Sequence, residues 1–197
     1  MPQPYRGSGV GWGPNTILDR PDLAVYIANV VGNWVYVEDQ LNWIFSILLS
    51  LKYGDAKSYW DISLRHEKTN ILHYDQLNPL GSQILDTLNS HVPKLDLIER
   101  LLNWWNLDEE LRKFQDLKIK VRKRAVERNT VAHGLWGTAA NDELKDAFIL
   151  VEKDRSDRMG LIYTCRDFVQ ISERILELDE NLKKFSSELY EKFHLQK

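Results

Sequence analysis

A run of apolar side chains between Leu23 and Tyr53 constrains the fold of this chain more than any other feature of its sequence. The apolar positions lie three or four residues apart, which is the spacing of one face of an α-helix. A proline suited to the first helical turn stands at Pro21, and Gly54 follows the last apolar position. We therefore expect one long helix whose buried face is formed by Val30, Trp34, Val37, Leu41, Ile44, Leu48 and Leu51.

Further helices are predicted downstream. Three acids, Asp108 to Glu110, begin a second long helix at the end where its dipole favours negative charge, and basic residues accumulate toward Arg128. Apolar residues recur again at helical spacing from Arg166 to His194. Between the first two long helices, proline and glycine separate three shorter helical pieces, predicted at 56–64, 77–89 and 95–105.

Two β-prone apolar runs lie on either side of the charged turn from Lys153 to Arg158, a pattern that is typical of a β-hairpin. The first 20 residues are rich in glycine and proline and predict an irregular arm. The expected fold class is all-α, a helical bundle with two or three long helices and a small β-hairpin insertion at about 147–164. A single domain is expected over residues 21–195, after the arm at 1–20.

Composition excludes several classes of protein. The 197 residues carry a net charge of −3, which argues against a chain that coats nucleic acid with its whole surface. Cys165 is the only cysteine, so neither an intrachain disulfide nor a cysteine-ligated zinc site is expected. No apolar run has the length of a membrane-spanning helix, and no carboxylate cluster has metal-ligand spacing. We expect a cytoplasmic protein that needs no metal, cofactor or membrane.

The segment from Glu127 to Gly137 combines a guanidinium, a carboxamide and an imidazole. Arg128 has a planar donor fork suited to phosphate oxygens, and His133 is the residue type that exchanges a proton near neutral pH. Along a helix Asn129 and His133 share one face, whereas Arg128 and His133 lie roughly 140° apart. Arg128 is therefore expected to point toward a partner surface, either the first long helix or a second copy of the chain.

Basic residues approach this segment along the second long helix, and they predict a salt-sensitive phosphate-binding surface. The alternative is a solvated helix face whose positive charges complement the helix dipole. Trp136 is the aromatic residue placed to stack on a base, and Glu38 and Asp39 are candidates to support Arg128. The residues predicted to form this phosphate- and base-binding surface are Lys120, Arg122, Lys123, Arg124 and Trp136.

The pattern Arg128-Asn129, three residues, then His133 resembles the signature of the HEPN superfamily. In that family an arginine, usually followed by a polar residue, precedes a histidine near the end of a late helix in an α-helical bundle. The flanking residues Gly134 and Trp136 also resemble those of many bacterial HEPN-like proteins. Leu135 stands where members paired with nucleotidyltransferase antitoxins carry a tyrosine, so that mode of regulation is not implied.

The resemblance implies a metal-independent endoribonuclease of a defence or toxin type, with a site shared across a homodimer and an antitoxin or other protein as regulator. His133 is then the general base or acid, Arg128 stabilises the charge on the phosphate, and Asn129 orients them. The alternative is a non-catalytic HEPN-like module that binds a nucleotide or serves in dimerisation, because many members keep the fold without the activity.

Overall fold

The computed structural model describes residues 2–5, 10–12, 16–50, 88, 90–139, 144, 146–151 and 160–194. The short helix predicted at 56–64 lies outside these residues, as does the predicted end of the first long helix at 51–53. Of the short helix predicted at 77–89 only Leu88 is described, and it is not helical. The others predicted along the chain are present. The helices are α1 (Thr16–Asp19), α2 (Pro21–Ser50), α3 (His91–Trp104), α4 (Asp108–His133) and α5 (Cys165–His194).

Each long helix begins at residues that favour the N-terminus of a helix. Pro21 occupies the first position of α2, and α4 opens with three acids. At the start of α5 the Asp167 carboxylate accepts hydrogen bonds from the Thr164 backbone N–H at 3.0 Å and from its hydroxyl at 2.7 Å. Burial alone would raise the pKa of Asp167, but the pKa is held below its usual range, and the hydrogen bonds from Thr164 are the largest of the effects that lower it.

A five-stranded antiparallel sheet accompanies the helices, so the prediction of an all-α bundle with only a small hairpin is correct in part. The predicted hairpin is confirmed as β4 and β5, and it forms the middle of the sheet. The order across the sheet is β1-β5-β4-β3-β2. The strands are β1 (Gln3–Tyr5), β2 (Val10–Trp12), β3 (Leu135–Ala139), β4 (Phe148–Val151) and β5 (Gly160–Tyr163).

The arm predicted to be irregular supplies both edge strands. β1 pairs with β5, and β2 pairs with β3. Each of these strands is only three residues long, which is too short to show the two-residue alternation that identifies a strand in a sequence. They form because their backbone groups satisfy the unpaired N–H and C=O groups that the β3–β4–β5 meander would leave at its edges.

The sheet is curved. Tyr5 and Val10 belong to opposite edge strands, although a chain of five residues spans at most about 18 Å. In a flat sheet four strand spacings alone amount to about 19 Å, to which the offset in register would add. Curvature therefore brings the edges closer together, and it agrees with the complete burial of consecutive residues, Phe148 and Ile149, on the two faces of β4.

The chain divides into two compact units, each built from separate stretches of sequence. The first unit contains Met1–Tyr36 and Val121–Leu178, and includes the sheet. Its core is an aromatic group around Phe168, whose ring centroid lies 5.3 to 5.7 Å from those of its neighbours. Those neighbours are Tyr26, Trp136, Phe148 and Tyr163.

The second unit contains Val37–Lys120 and Asp179–Lys197. Phe114 and Phe185 pack within it with ring centroids 5.9 Å apart. Lys118 lies in the basic run that approaches the motif, but its ammonium group is 2.7 Å from Asp96 and 2.5 Å from Glu99. These carboxylates neutralise Lys118, which is therefore structural.

Within the described residues, no helix combines the length and apolar character needed to cross a membrane.

Candidate functional site

The end of α4 is fixed by Trp136. The indole N–H of Trp136 donates a hydrogen bond of 3.1 Å to the carbonyl oxygen of Val131, one of the carbonyls that the last helical turn leaves unpaired. The ring of Trp136 packs against Tyr163 and Phe168, with centroid distances of 5.1 and 5.3 Å. The position of His133, the last residue of α4, is therefore set by contacts inside the first unit.

Gly134 makes the tight passage from α4 to β3 feasible. A Cβ atom at this position would lie 2.3 Å from Cδ1 of Leu150 and 2.7 Å from the carbonyl oxygen of Thr130. The second contact involves backbone and cannot be relieved by a side-chain rotation. β3 begins at the next residue, where Leu135 pairs with Val151 of β4. His133 is thus held between a capped helix end and a paired strand.

An open groove of about 210 Å³ lies beside this helix end. Asn129 and His133 are both exposed and both line the groove, as expected for two residues one helical turn apart. The remaining lining is mostly apolar and comes from the helix end and the sheet. The lining residues are Asn129, Thr130, His133, Gly134, Leu135, Leu150 and Val151.

Arg128 is joined to this groove through Asn129. Its Nη1 donates a hydrogen bond of 2.8 Å to Oδ1 of Asn129, while Arg128 itself is half-buried and is not among the lining residues. The Nε atom of Arg128 is buried and has no hydrogen-bond partner within the described residues. No ion pair to a carboxylate is found for Arg128 in that part of the chain. Among the described residues, its positive charge therefore has no carboxylate counterpart.

The predicted RNA-binding residues of α4 differ in their surroundings. Arg122 and Lys123 are exposed in the first unit, and Lys120 is exposed in the second. Arg124 is only 14% exposed, and its Nη1 lies 2.5 Å from Glu127. The prediction that Arg124 is an open phosphate-binding residue is corrected accordingly, because a neighbouring carboxylate already holds its guanidinium.

The structure also corrects the prediction that Trp136 stacks on a base. Trp136 is 5% exposed, and its polar atom is used to cap the helix. Base stacking requires an open aromatic face. An aromatic residue beside a motif has the same sequence signature whether it stacks on a ligand or packs in a core, and here burial against Tyr163 and Phe168 decides between the two.

Glu38 and Asp39, proposed from the sequence as support for Arg128, belong to the second unit. Burial raises the pKa of Asp39, the negative charge of Glu38 raises it further, and Lys94 opposes both effects. The charged residues that shift the pKa of Asp39 thus belong to its own unit.

Within the described residues, no group of three or more histidine, cysteine or acidic side chains is arranged to hold a metal ion.

A larger cavity of about 600 Å³ lies at the start of α5. Its polar lining includes Asp146, Asp167 and Arg166, together with Cys165. None of its described lining residues carries an imidazole that could exchange a proton near neutral pH. The smaller groove is therefore the better candidate for phosphate chemistry, since it brings together His133 and Asn129, the residue that contacts Arg128.

One residue of the site region was not predicted from the sequence. The Nη2 of Arg174, in α5, lies 3.4 Å from Oε1 of Glu127, the same carboxylate that binds Arg124. Arg174 is 47 positions from Glu127 in the chain, and only the packing of α5 against α4 brings them together.

Comparisons with protein-family models, with curated proteins and with solved structures find no match to this chain.

Proposed function

We propose that this chain is a metal-independent endoribonuclease of the HEPN type, which cuts RNA by attack of a 2′-hydroxyl on the adjacent phosphate. One observation carries the proposal. Asn129 accepts a hydrogen bond from Arg128 and lines the same groove as His133. A guanidinium, a carboxamide and an imidazole are thus linked at an exposed helix end, where an RNA strand can reach them.

The chemistry follows from these three groups. His133 removes the proton from the 2′-hydroxyl, the 2′-oxygen forms a bond to phosphorus, and the bond from phosphorus to the 5′-oxygen breaks. Arg128 stabilises the negative charge that develops on the phosphoryl oxygens through charge-assisted hydrogen bonds. Asn129 holds the Arg128 fork next to the groove. The products are a 2′,3′-cyclic phosphate and a 5′-hydroxyl, and no metal enters the reaction.

The departing 5′-oxygen needs a proton, and a second copy of the chain is the proposed source of it. A groove of about 210 Å³ is smaller than the roughly 300 Å³ at which small-molecule sites begin, so one chain offers only part of a site. Val126 lies one helical turn before Asn129 on the same side of α4 and is 66% exposed. An exposed apolar residue beside the groove favours burial against a partner, and we propose a homodimer.

Regulation by another protein belongs to the same proposal. A ribonuclease whose groove is open to solvent threatens the RNA of its own cell. We therefore propose that the enzyme acts in a toxin-like or antiviral role and that an antitoxin or other regulatory protein controls access to the groove.

A non-catalytic role is favoured by one observation: the Arg128 Nε atom is buried and has no hydrogen-bond partner among the residues that the structure describes. A buried donor of this kind is costly unless a further group satisfies it, and a bound nucleotide or a subunit interface can supply one. In this second function Arg128 and Asn129 bind a nucleotide or stabilise a dimer, and RNA remains intact.

The decisive assay for the proposed activity is incubation of the purified protein with end-labelled RNA, single-stranded and hairpin, in excess EDTA. We expect cleavage at an undiminished rate, with fragments that carry cyclic phosphate and 5′-hydroxyl termini, because the reaction uses only protein side chains. Intact RNA, or cleavage that appears only when Mg²⁺ is added and leaves 3′-hydroxyl ends, would contradict the proposal.

A further inference from the structure

A shared carboxylate links α4 to α5 close to the proposed site. Glu127 accepts a hydrogen bond of 2.5 Å from Arg124 and lies 3.4 Å from Nη2 of Arg174. We call these three residues the Glu127 cluster. The exposed fractions of the side chains rise from 14% for Arg124 to 24% for Glu127 and 37% for Arg174, so Arg174 is the member most open to solvent.

The cluster has an excess of positive charge. Two guanidinium groups share one carboxylate, and the next residue in α4, Arg128, has no carboxylate partner within the described residues. Among these four described residues, three cations and one anion give a net charge of +2. Such an excess attracts a polyanion, and the attraction weakens as salt is added.

Arg174 is the less firmly held of the two arginines in the cluster. Its contact with Glu127 is 0.9 Å longer than that of Arg124, and its Nε atom is buried without a hydrogen-bond partner in the described part of the chain. A long, partly exposed ion pair contributes little to stability, so exchanging it for a phosphate costs little. Glu127 keeps its short bond to Arg124 during such an exchange and is not left unpaired.

We propose that Arg174 is a further phosphate-binding residue of the RNA site and contacts a backbone phosphate other than the one beside His133. The inference rests on the proposed function. It extends the RNA path from α4 onto α5. It also gives Glu127 a positioning role, because the carboxylate of Glu127 holds the Arg174 guanidinium against α4, one residue before Arg128. A guanidinium is suited to the task, since its fork binds two phosphate oxygens at once.

The test is the affinity for a single-stranded RNA with 2′-O-methyl groups, which cannot be cleaved, measured by fluorescence anisotropy over a range of salt. We expect Arg174→Gln to weaken binding about fivefold to tenfold and to reduce the salt slope by about 0.7, the loss of one phosphate contact. Arg174→Lys keeps the charge without the fork, so it should retain the slope and recover only part of the affinity. The matched control is Arg100→Gln, at an exposed position of α3, which should change neither quantity.

Each result separates the two proposals. If Arg174→Gln binds like the wild-type protein while Arg128→Gln binds more weakly, the role of Arg174 is refuted and the RNA site stands. If Arg100→Gln weakens binding as much as Arg174→Gln, the effect is one of overall charge, and the specific role of Arg174 is again refuted. If the wild-type protein does not bind the RNA, the proposed function falls, and the inference falls with it.

Discussion

His133→Ala is expected to slow RNA cleavage by about 10²- to 10⁴-fold, the range that general acid–base catalysis contributes. The physical reason is that, among the described residues that line the groove, His133 alone carries an imidazole, and it is the group proposed to take the 2′-hydroxyl proton. The measurement is the single-turnover rate on a labelled RNA in EDTA. RNA affinity should change much less than the rate, because Arg128 and Asn129 remain.

His91→Ala is the control for this substitution, because His91 is a histidine of the second unit at the first position of α3. We expect it to cleave at the wild-type rate. His133 is exposed, so His133→Ala should also unfold at a temperature close to that of the wild-type protein. A His133→Ala variant that is folded and cleaves RNA at the wild-type rate would show that the imidazole handles no proton.

Trp136→Ala is expected to lower the free energy of unfolding by about 3–5 kcal/mol, the usual effect of removing a large buried aromatic side chain. It removes the packing against Tyr163 and Phe168 and the hydrogen bond that caps Val131. Trp136→Phe retains much of the packing but not the donor, so a smaller loss of about 1 to 3 kcal/mol is expected. Urea unfolding followed by circular dichroism measures both values.

The same two variants test the role assigned to Trp136. If this residue is structural, RNA affinity under conditions where the variants are folded should stay within about twofold of the wild-type value, because no base-stacking energy of about 1–3 kcal/mol is lost. The opposite pattern, unchanged stability of Trp136→Ala with a large loss of RNA affinity, would restore the base-stacking interpretation made from the sequence.

The long helices could be predicted because each carries an apolar repeat over many turns, as between Leu23 and Tyr53. The hairpin could be predicted because both of its strands are apolar and flank a charged turn. The edge strands could not, since Gln3–Tyr5 and Val10–Trp12 are short and owe their form to pairing with distant residues. These two edge strands are determined by the strands with which they pair, β5 and β3.

In the candidate site, too, contacts within one helix could be predicted from the sequence, whereas contacts between distant parts of the chain could not. Asn129 and His133 could be placed together because one helical turn separates them. Arg174 could not be associated with Glu127, because their contact depends on how α5 packs against α4. The pairing of Arg124 with Glu127 is local, because three residues of α4 separate them, and helical spacing alone allows it. The burial of Trp136 was inaccessible, since a sequence pattern does not show which neighbours a ring will meet.

The most direct test of the proposed chemistry is cleavage of a short RNA in which one nucleotide lacks its 2′-hydroxyl. That nucleotide is the one on the 5′ side of a cut mapped in the unmodified RNA. We predict that the deoxy substitution abolishes this cut while the protein binds both RNAs with similar affinity, because the 2′-oxygen is the nucleophile. Cleavage of the deoxy-substituted RNA at the same bond and at an undiminished rate would contradict the assignment of this chain as a HEPN-type ribonuclease.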